Sequence, residues 1–220
     1  MANPERETLT FARLKTPKAA ALAGIVFSLL MFTIFGLLHG SIPMDPLDTG
    51  AWLAADRPRI AFALNLVPFA GVAFLWFIGV LRDRLGQQED RFFASVFFGT
   101  GLLYLAMLFA AAAVIGAVML LASMSEPGEL SRSTVFHYAR AMAYIVNNVY
   151  ATKMAAVFMV STSTIVIYTG IVPRWIAYIG YLCALVLMFA SYNIGWSFAV
   201  LPIWVLLISV YILMDNLRRG

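Results

Sequence analysis

Long apolar runs alternate with short polar stretches along this chain, and the lengths of the runs predict its elements. A helix needs about 20 mainly apolar residues to cross a bilayer. Period-two alternation, which marks the strands of a membrane β-barrel, is absent from the runs. They predict six helices, at residues 19–39, 60–81, 92–122, 137–172, 174–191 and 196–214. We therefore expect an all-α, integral membrane six-helix bundle: one transmembrane domain, 19–216, between an N-terminal segment, 1–18, and a tail, 217–220.

The composition supports a membrane location for these helices. Hydrophobic residues make up 62% of the 220 residues and charged residues 12%, whereas soluble domains average about 45–50% and about 25%. A chain of this size cannot bury so much apolar surface in its own core. The polar stretch before the first run has no small-residue cleavage site, so we expect that run to remain as a span. The single cysteine, Cys183, excludes a disulfide framework.

Lysine and arginine are unevenly distributed between the loops, and this predicts an orientation. With a cytoplasmic N-terminus, six crossings return the C-terminus to the cytoplasm. That side then carries ten basic residues, and the outer loops carry only Arg57, Arg59 and Arg132. Basic loops remain in the cytoplasm, so both termini are predicted there. The net charge of +4 is accounted for by these loops, and we expect no nucleic-acid partner.

The third and fourth helices are longer than a membrane is thick, and they predict a long hairpin. At 1.5 Å per residue, 92–122 spans roughly 45 Å, against a hydrocarbon core of about 30 Å. In a tall register, the hairpin rises above the membrane and Lys153 lies at the outer boundary. In a deep register, the turn near Arg132 marks that boundary and Lys153 is an intramembrane charge. The sequence leaves both registers open.

Polar residues of the fourth helix form a candidate seam. At 100° per residue, His137, Arg140, Tyr144, Asn148 and Thr162 fall on one face, with Asn147 beside it and Lys153 on another side. Such a seam either forms hydrogen bonds between helices or lines a water-accessible cavity that opens outward.

Small residues recur at four-residue spacing on two helices, as in Ala20, Gly24 and Ser28. The third helix repeats the pattern in Ala112 with Gly116 and Ala113 with Ala117. This spacing allows helix backbones to approach closely in lipid. It indicates packing within one bundle or an interface between copies of the chain.

The two histidines, His39 and His137, are weak candidates for haem ligation from the outer side of the membrane. No metal site is predicted, because the histidines lack ligand spacing. Motifs for phosphate binding, nucleophilic serine and zinc hydrolysis are absent, and so are paired carboxylates. We therefore predict no catalytic residues and no enzyme.

From VLRDRLGQQEDR through GIVPRWIAYIGY the layout resembles small uncharacterised bacterial six-helix membrane proteins of a domain-of-unknown-function type. They share the length, the six-helix plan and a PRW step between late helices. The resemblance implies the bacterial inner (cytoplasmic) membrane and carries no chemistry.

Three functions are compatible with these patterns. The first is a non-catalytic multi-pass protein, either an accessory or scaffolding subunit or a self-associating protein, in contact with membrane lipids and with a protein partner or another copy of itself. The second is a channel or carrier for an ion or small solute that uses the seam. The third is a haem-binding redox subunit that uses His39 and His137.

Overall fold

The computed structural model describes residues 17–43, 50–85, 91–126, 128–170, 172–189 and 196–218. These residues are helical almost throughout and contain no strand, which confirms the predicted all-α class for them. Their α-helices are α1 (Pro17–Ser41), α2 (Trp52–Ala55), α3 (Arg57–Leu85), α4 (Arg91–Ala122), α5 (Thr134–Ile145), α6 (Thr152–Thr169), α7 (Arg174–Phe189) and α8 (Val200–Arg218). A π turn, Val146–Ala151, joins α5 to α6, and 3-10 turns stand at Leu130–Arg132 and Ser197–Ala199.

Among the described residues, five helical stretches are long and apolar enough to cross a membrane. They are Ala19–Ser41, Arg57–Arg82, Ser95–Ala122, Thr134–Tyr168 and Ser197–Arg218. The sixth apolar helix, α7, has 16 residues and rises only about 24 Å at 1.5 Å per residue. Part of the run predicted at 174–191 lies outside the described residues.

The run predicted as one helix over 137–172 is a continuous rod formed by α5, the π turn and α6. Ser133 caps its start, since the Ser133 side chain accepts a hydrogen bond from the backbone N–H of Phe136. The rod ends at Thr169, because Gly170 adopts a left-handed conformation with φ of 63° that glycine tolerates best. Glycine thus terminates the helix before Pro173.

The long helices form a ring in which each packs against the next. Helix α1 lies between α3 and α8, α4 lies between α3 and the α5–α6 rod, and α7 packs against α6 and α8. The end of the ring that carries the α4–α5 connection, residues 123–133, is termed the hairpin end. Pro17 and Arg218 lie at the opposite end. Helices α7 and α8 are shorter than α4 and the rod.

Aromatic side chains fill the middle of the ring. The Phe74 ring lies 4.6 Å from that of Phe27, 5.5 Å from Tyr104 and 5.2 Å from Phe158, measured between centroids. The Phe158 ring also stacks on Phe97 at 5.1 Å. All of these side chains are buried, so rings contributed by α1, α3, α4 and α6 occupy the shared interior.

A second, smaller core lies at the hairpin end. Its buried members are Trp52, Leu53, Ile60, Val118, Met119 and Phe136. These residues belong to α2, α3, α4 and α5, so α2 and the start of α3 cover one face of the long apolar run on α4. The other face remains open, with Leu120 and Leu121 exposed.

The small residues of α1 face neighbouring helices within the chain. Ala20, Gly24 and Ser28 are buried, and the Ser28 hydroxyl donates to the carbonyl of Pro202 on α8 at 2.9 Å. The small residues of α4 differ, since Ala113 and Ala117 are exposed. The spacing therefore serves packing within the bundle on α1.

Candidate functional site

The π turn is the local irregularity on which the site is built. A π turn takes in an additional residue through wider i→i+5 hydrogen bonds, and such turns often occur at functional sites. Side chains bind the carbonyls around it: the Asn148 amide donates to the carbonyl of Tyr144 at 3.1 Å. The Thr152 hydroxyl donates to the carbonyls of Asn148 and Val149. These bonds stabilise the wider turn.

The π turn spans the stretch that carries both asparagines, Asn147 and Asn148. In a regular α-helix Asn148 lies on the predicted seam and Asn147 beside it. In the structure both asparagines line the same cavity, together with Arg140 and Tyr144. Four of the six seam residues are thus brought together on one wall.

The cavity lies towards the hairpin end, between α1, α3, α4, α5 and the π turn, and has a volume of about 220 Å³. Its wall is mostly apolar, with side chains such as Ile34, Leu38, Leu64, Val67, Leu108 and Ile115. Polar groups are concentrated on the rod and at the end of α1, in Arg140, Tyr144, Asn147, Asn148 and His39. An apolar pocket with a few polar groups is the usual form of a small-molecule site.

Arg140 is the permanently charged side chain on the described wall. Its Nη2 donates to the carbonyl of Pro43 at 2.7 Å. Its guanidinium carbon lies 5.8 Å from the ring centroid of Trp52 and 5.7 Å from that of Phe136, which is the range of cation–π attraction. Its Nη1 is buried and has no hydrogen-bond acceptor.

The remaining seam residues lie elsewhere. His137 is exposed, with its ring 5.5 Å from the Phe136 ring. Thr162 is buried, and its hydroxyl donates to the carbonyl of Phe158 at 2.7 Å. Thr162 therefore belongs to the filled interior of the ring rather than to the cavity.

Of the two haem candidates, His39 lines the cavity, and His137 is absent from the described wall. Within the described residues, no group of three His, Cys, Asp or Glu side chains is placed to hold a metal ion. The structure thus assigns the two histidines to different surroundings.

Lys153 lies apart from the described wall of the cavity and binds the end of another helix. Its Nζ donates to the carbonyl of Met188 at 2.8 Å, in the last turn of α7. Carbonyls in a last turn lack intrahelical partners, and that end of a helix carries partial negative charge. A backbone group thus supplies the partner that no carboxylate in the predicted spans offers.

Several residues of the site were missed by reasoning from the sequence. Pro43, Trp52 and Phe198 line the cavity, although they come from the segments that follow α1 and precede α8. Trp52 stands in a loop-like stretch with prolines and aspartates, and its sequence context indicates only a membrane interface. The sequence pattern around these residues does not predict the contacts, because residues from distant parts of the chain make them.

Comparison with known proteins provides no further assignment. No model of a protein family matches the chain, and searches of curated proteins and of solved structures gave no match.

Proposed function

We propose that this chain is a multi-pass membrane protein that binds the apolar part of a small molecule in the cavity beside the π turn. The observation that carries the proposal is the cavity itself, about 220 Å³ with a largely apolar wall and polar groups concentrated on one side. Apolar ligands enter such pockets readily, because the wall offers contacts that water cannot satisfy. The proposed activity is binding, with no catalytic step.

The other functions have less support. An open channel needs a continuous path, yet the ring interior beyond the cavity is filled by Phe74, Phe158 and their neighbours. The accessory or self-associating role drew on the apolar excess of α4 and on the small-residue spacing of α1 and α4. The small residues of α1 pack within the chain, and one face of the apolar run on α4 is covered, while Leu120 and Leu121 remain exposed. A haem site needs axial ligands facing one space, and His39 alone of the two histidines lines the cavity.

A pair of neighbouring alanines on α4 tests the proposed function. Ala112 lines the cavity, whereas its neighbour Ala113 is exposed and is not part of the described lining. We expect Ala112→Phe to fill the cavity and weaken binding of a bromoalkyl probe, 10-bromodecanol, at least tenfold. Ala113→Phe should leave binding unchanged. The measurement is quenching of tryptophan fluorescence in nanodiscs, taken as the difference between each protein and its Trp52→Phe counterpart.

Equal binding of 10-bromodecanol to the Ala112→Phe and Ala113→Phe proteins would refute a ligand in this cavity. The same holds for a wild-type protein whose Trp52 signal does not respond to the probe. Circular dichroism of both variants serves as the folding control.

For the orientation, we propose six crossings with cytoplasmic termini in the tall register. The carbonyl of Met188 and Nζ of Lys153 meet where α7 ends. Met188 lies about 21 Å along α7 from Arg174 at 1.5 Å per residue, which is more than half of a hydrocarbon core of about 30 Å. We therefore infer that Lys153 and the exposed Trp196 lie towards the outer boundary of the membrane. Tryptophan and lysine are typical of that boundary. The cavity then lies at the outer interface, within reach of lipid.

A cysteine placed at Lys153 tests this depth. In a Cys183→Ser background, we expect Lys153→Cys to react with a membrane-impermeant thiol reagent added outside intact cells. Thr162→Cys should be protected, because that position is buried in the ring interior. The tall register fails if the cysteine at 153 reacts only after the membrane is permeabilised, or does not react at all.

A further inference from the structure

The geometry points to an oxyanion as the head group of the cavity's ligand: a carboxylate or phosphate, carried on an apolar chain and held by Arg140. This inference rests on the proposed function, because it assigns a head group to the molecule whose apolar part fills the cavity. The two can fail separately, since an apolar chain can occupy the cavity without any charge at its end.

The first support is the incomplete hydrogen bonding of Arg140. A guanidinium has five N–H donors and no acceptor. Nη2 binds the carbonyl of Pro43, and the cation lies over the rings of Trp52 and Phe136. Nη1 is buried with no acceptor. A buried charged donor without a partner is costly, so an acceptor that reaches Nη1 would be bound favourably.

A second donor in the same place also lacks an acceptor. The indole Nε1 of Trp52 is buried and unpaired, and Trp52 lines the cavity in contact with the Arg140 guanidinium. An indole N–H can only donate. Two neighbouring residues therefore present unpaired donors, and a group with several acceptor oxygens can bind both.

The charge of the wall selects an anion among possible acceptors. The described lining contains Arg140 and no carboxylate. The described acidic residue nearest in sequence to Trp52, Asp56, instead pairs with Arg59 at 3.2 Å. Carboxylates and phosphates are acceptors that match the planar guanidinium with two parallel hydrogen bonds. A neutral alcohol or carbonyl satisfies the donors without balancing the charge.

The apolar wall argues against a free inorganic ion. Most of the lining consists of aliphatic and aromatic side chains from α1, α3 and α4, which an ion alone does not contact. A ligand that consists of an apolar alkyl chain without a head group leaves the Arg140 and Trp52 donors unpaired. An amphipathic molecule with an oxyanion head satisfies both parts of the cavity.

The test compares three probes on the whole protein in phosphatidylcholine nanodiscs. These are 10-bromodecanoate (chain and charge), 10-bromodecanol (chain alone) and inorganic phosphate (charge alone). Binding of the bromo probes is read from Trp52 quenching, with the Trp52→Phe protein as the blank. Phosphate is read as a competitor. We expect 10-bromodecanoate to bind at least tenfold more tightly than 10-bromodecanol, and millimolar phosphate to compete weakly.

Substitution of Arg140 gives the decisive comparison. Arg140→Gln should reduce the affinity for 10-bromodecanoate to about that for 10-bromodecanol, so that the tenfold preference for the charged probe is lost. Arg140→Lys keeps the charge and should retain part of the preference. Arg132→Gln removes an exposed arginine at the hairpin end and should have no effect.

Equal affinities for the two bromo probes in the wild-type protein would overturn the inference and leave the proposed function standing. So would an Arg140→Gln protein that keeps the preference, or complete competition by phosphate at low concentration.

Asp45 and Asp48 belong to 44–49, outside the described residues, so an Asp45→Asn/Asp48→Asn protein is measured too. A preference for 10-bromodecanoate that appears only in that protein would show that Arg140 pairs within the chain, contrary to the inference.

Competition by phosphatidic acid in the nanodisc would identify a membrane lipid as the source of the head group. If phosphatidic acid does not compete, the source is a free acid.

Discussion

Replacing Phe74 by alanine is expected to lower the free energy of unfolding by about 3 kcal/mol, the lower end of the range for buried phenylalanine. Phe74 is fully buried and its ring contacts those of Phe27, Tyr104 and Phe158. Lipid is as apolar as the bundle interior, so the loss comes from packing contacts rather than from transfer out of water. The residual cavity removes contacts from three helices at once.

Phe69 provides the matched control, since it stands on the same helix and is 65% exposed. Phe69→Ala should change the unfolding free energy by about 0.5 kcal/mol or less. Unfolding by increasing SDS in mixed micelles measures both. If Phe74→Ala does not fold, Phe74→Leu should still show a loss of about 1 kcal/mol. Equal losses at positions 69 and 74 would contradict the described core.

The second large effect is expected at Gly24, where α1 packs tightly against Ser209 of α8. A Cβ at this position would stand 2.0 Å from Oγ of Ser209 and 2.9 Å from Cδ2 of Phe77. Gly24→Ala should therefore destabilise the bundle by about 1–3 kcal/mol, the usual cost of overpacking. The same SDS unfolding experiment measures the change.

Gly36 on the same helix is the control, because a Cβ there meets nothing within 4 Å. Gly36→Ala should be neutral or stabilise by about 0.5–1 kcal/mol, since alanine favours helix more than glycine does. Adding Ser209→Gly to Gly24→Ala should recover part of the loss by removing the hydroxyl. If Gly24→Ala instead altered the oligomeric state while the unfolding free energy stayed constant, the small-residue face would be an interface between copies.

The positions of the helices follow from local pattern, which explains how much of the fold was predictable. Every predicted run contains a helix, because apolar length and helical hydrogen bonding are determined within each segment. The ends were less predictable. Gly170 ends the rod earlier than Pro173 suggested, and α3 begins at Arg57, before the apolar run.

The site was predictable only in part. Arg140, Tyr144 and Asn148 were singled out by their helical spacing, and the structure places them on the cavity wall. The spacing argument assumed a regular helix. It set Asn147 beside the seam and extended the seam to Thr162, which lies in the filled interior of the ring. The π turn at 146–151 alters that register, and neither hydropathy nor spacing indicates where such a turn occurs.

The sequence by itself determined that this chain forms apolar helices too numerous and too long for a soluble core, because apolar excess and run length are properties of the chain alone. Only the tertiary structure decided what each polar group contacts. Lys153 meets the carbonyl of Met188, and Arg140 lies against Trp52 with one donor unpaired. The reason is physical: helix formation depends on neighbours within a few residues, whereas a cavity depends on how side chains from four helices fit together.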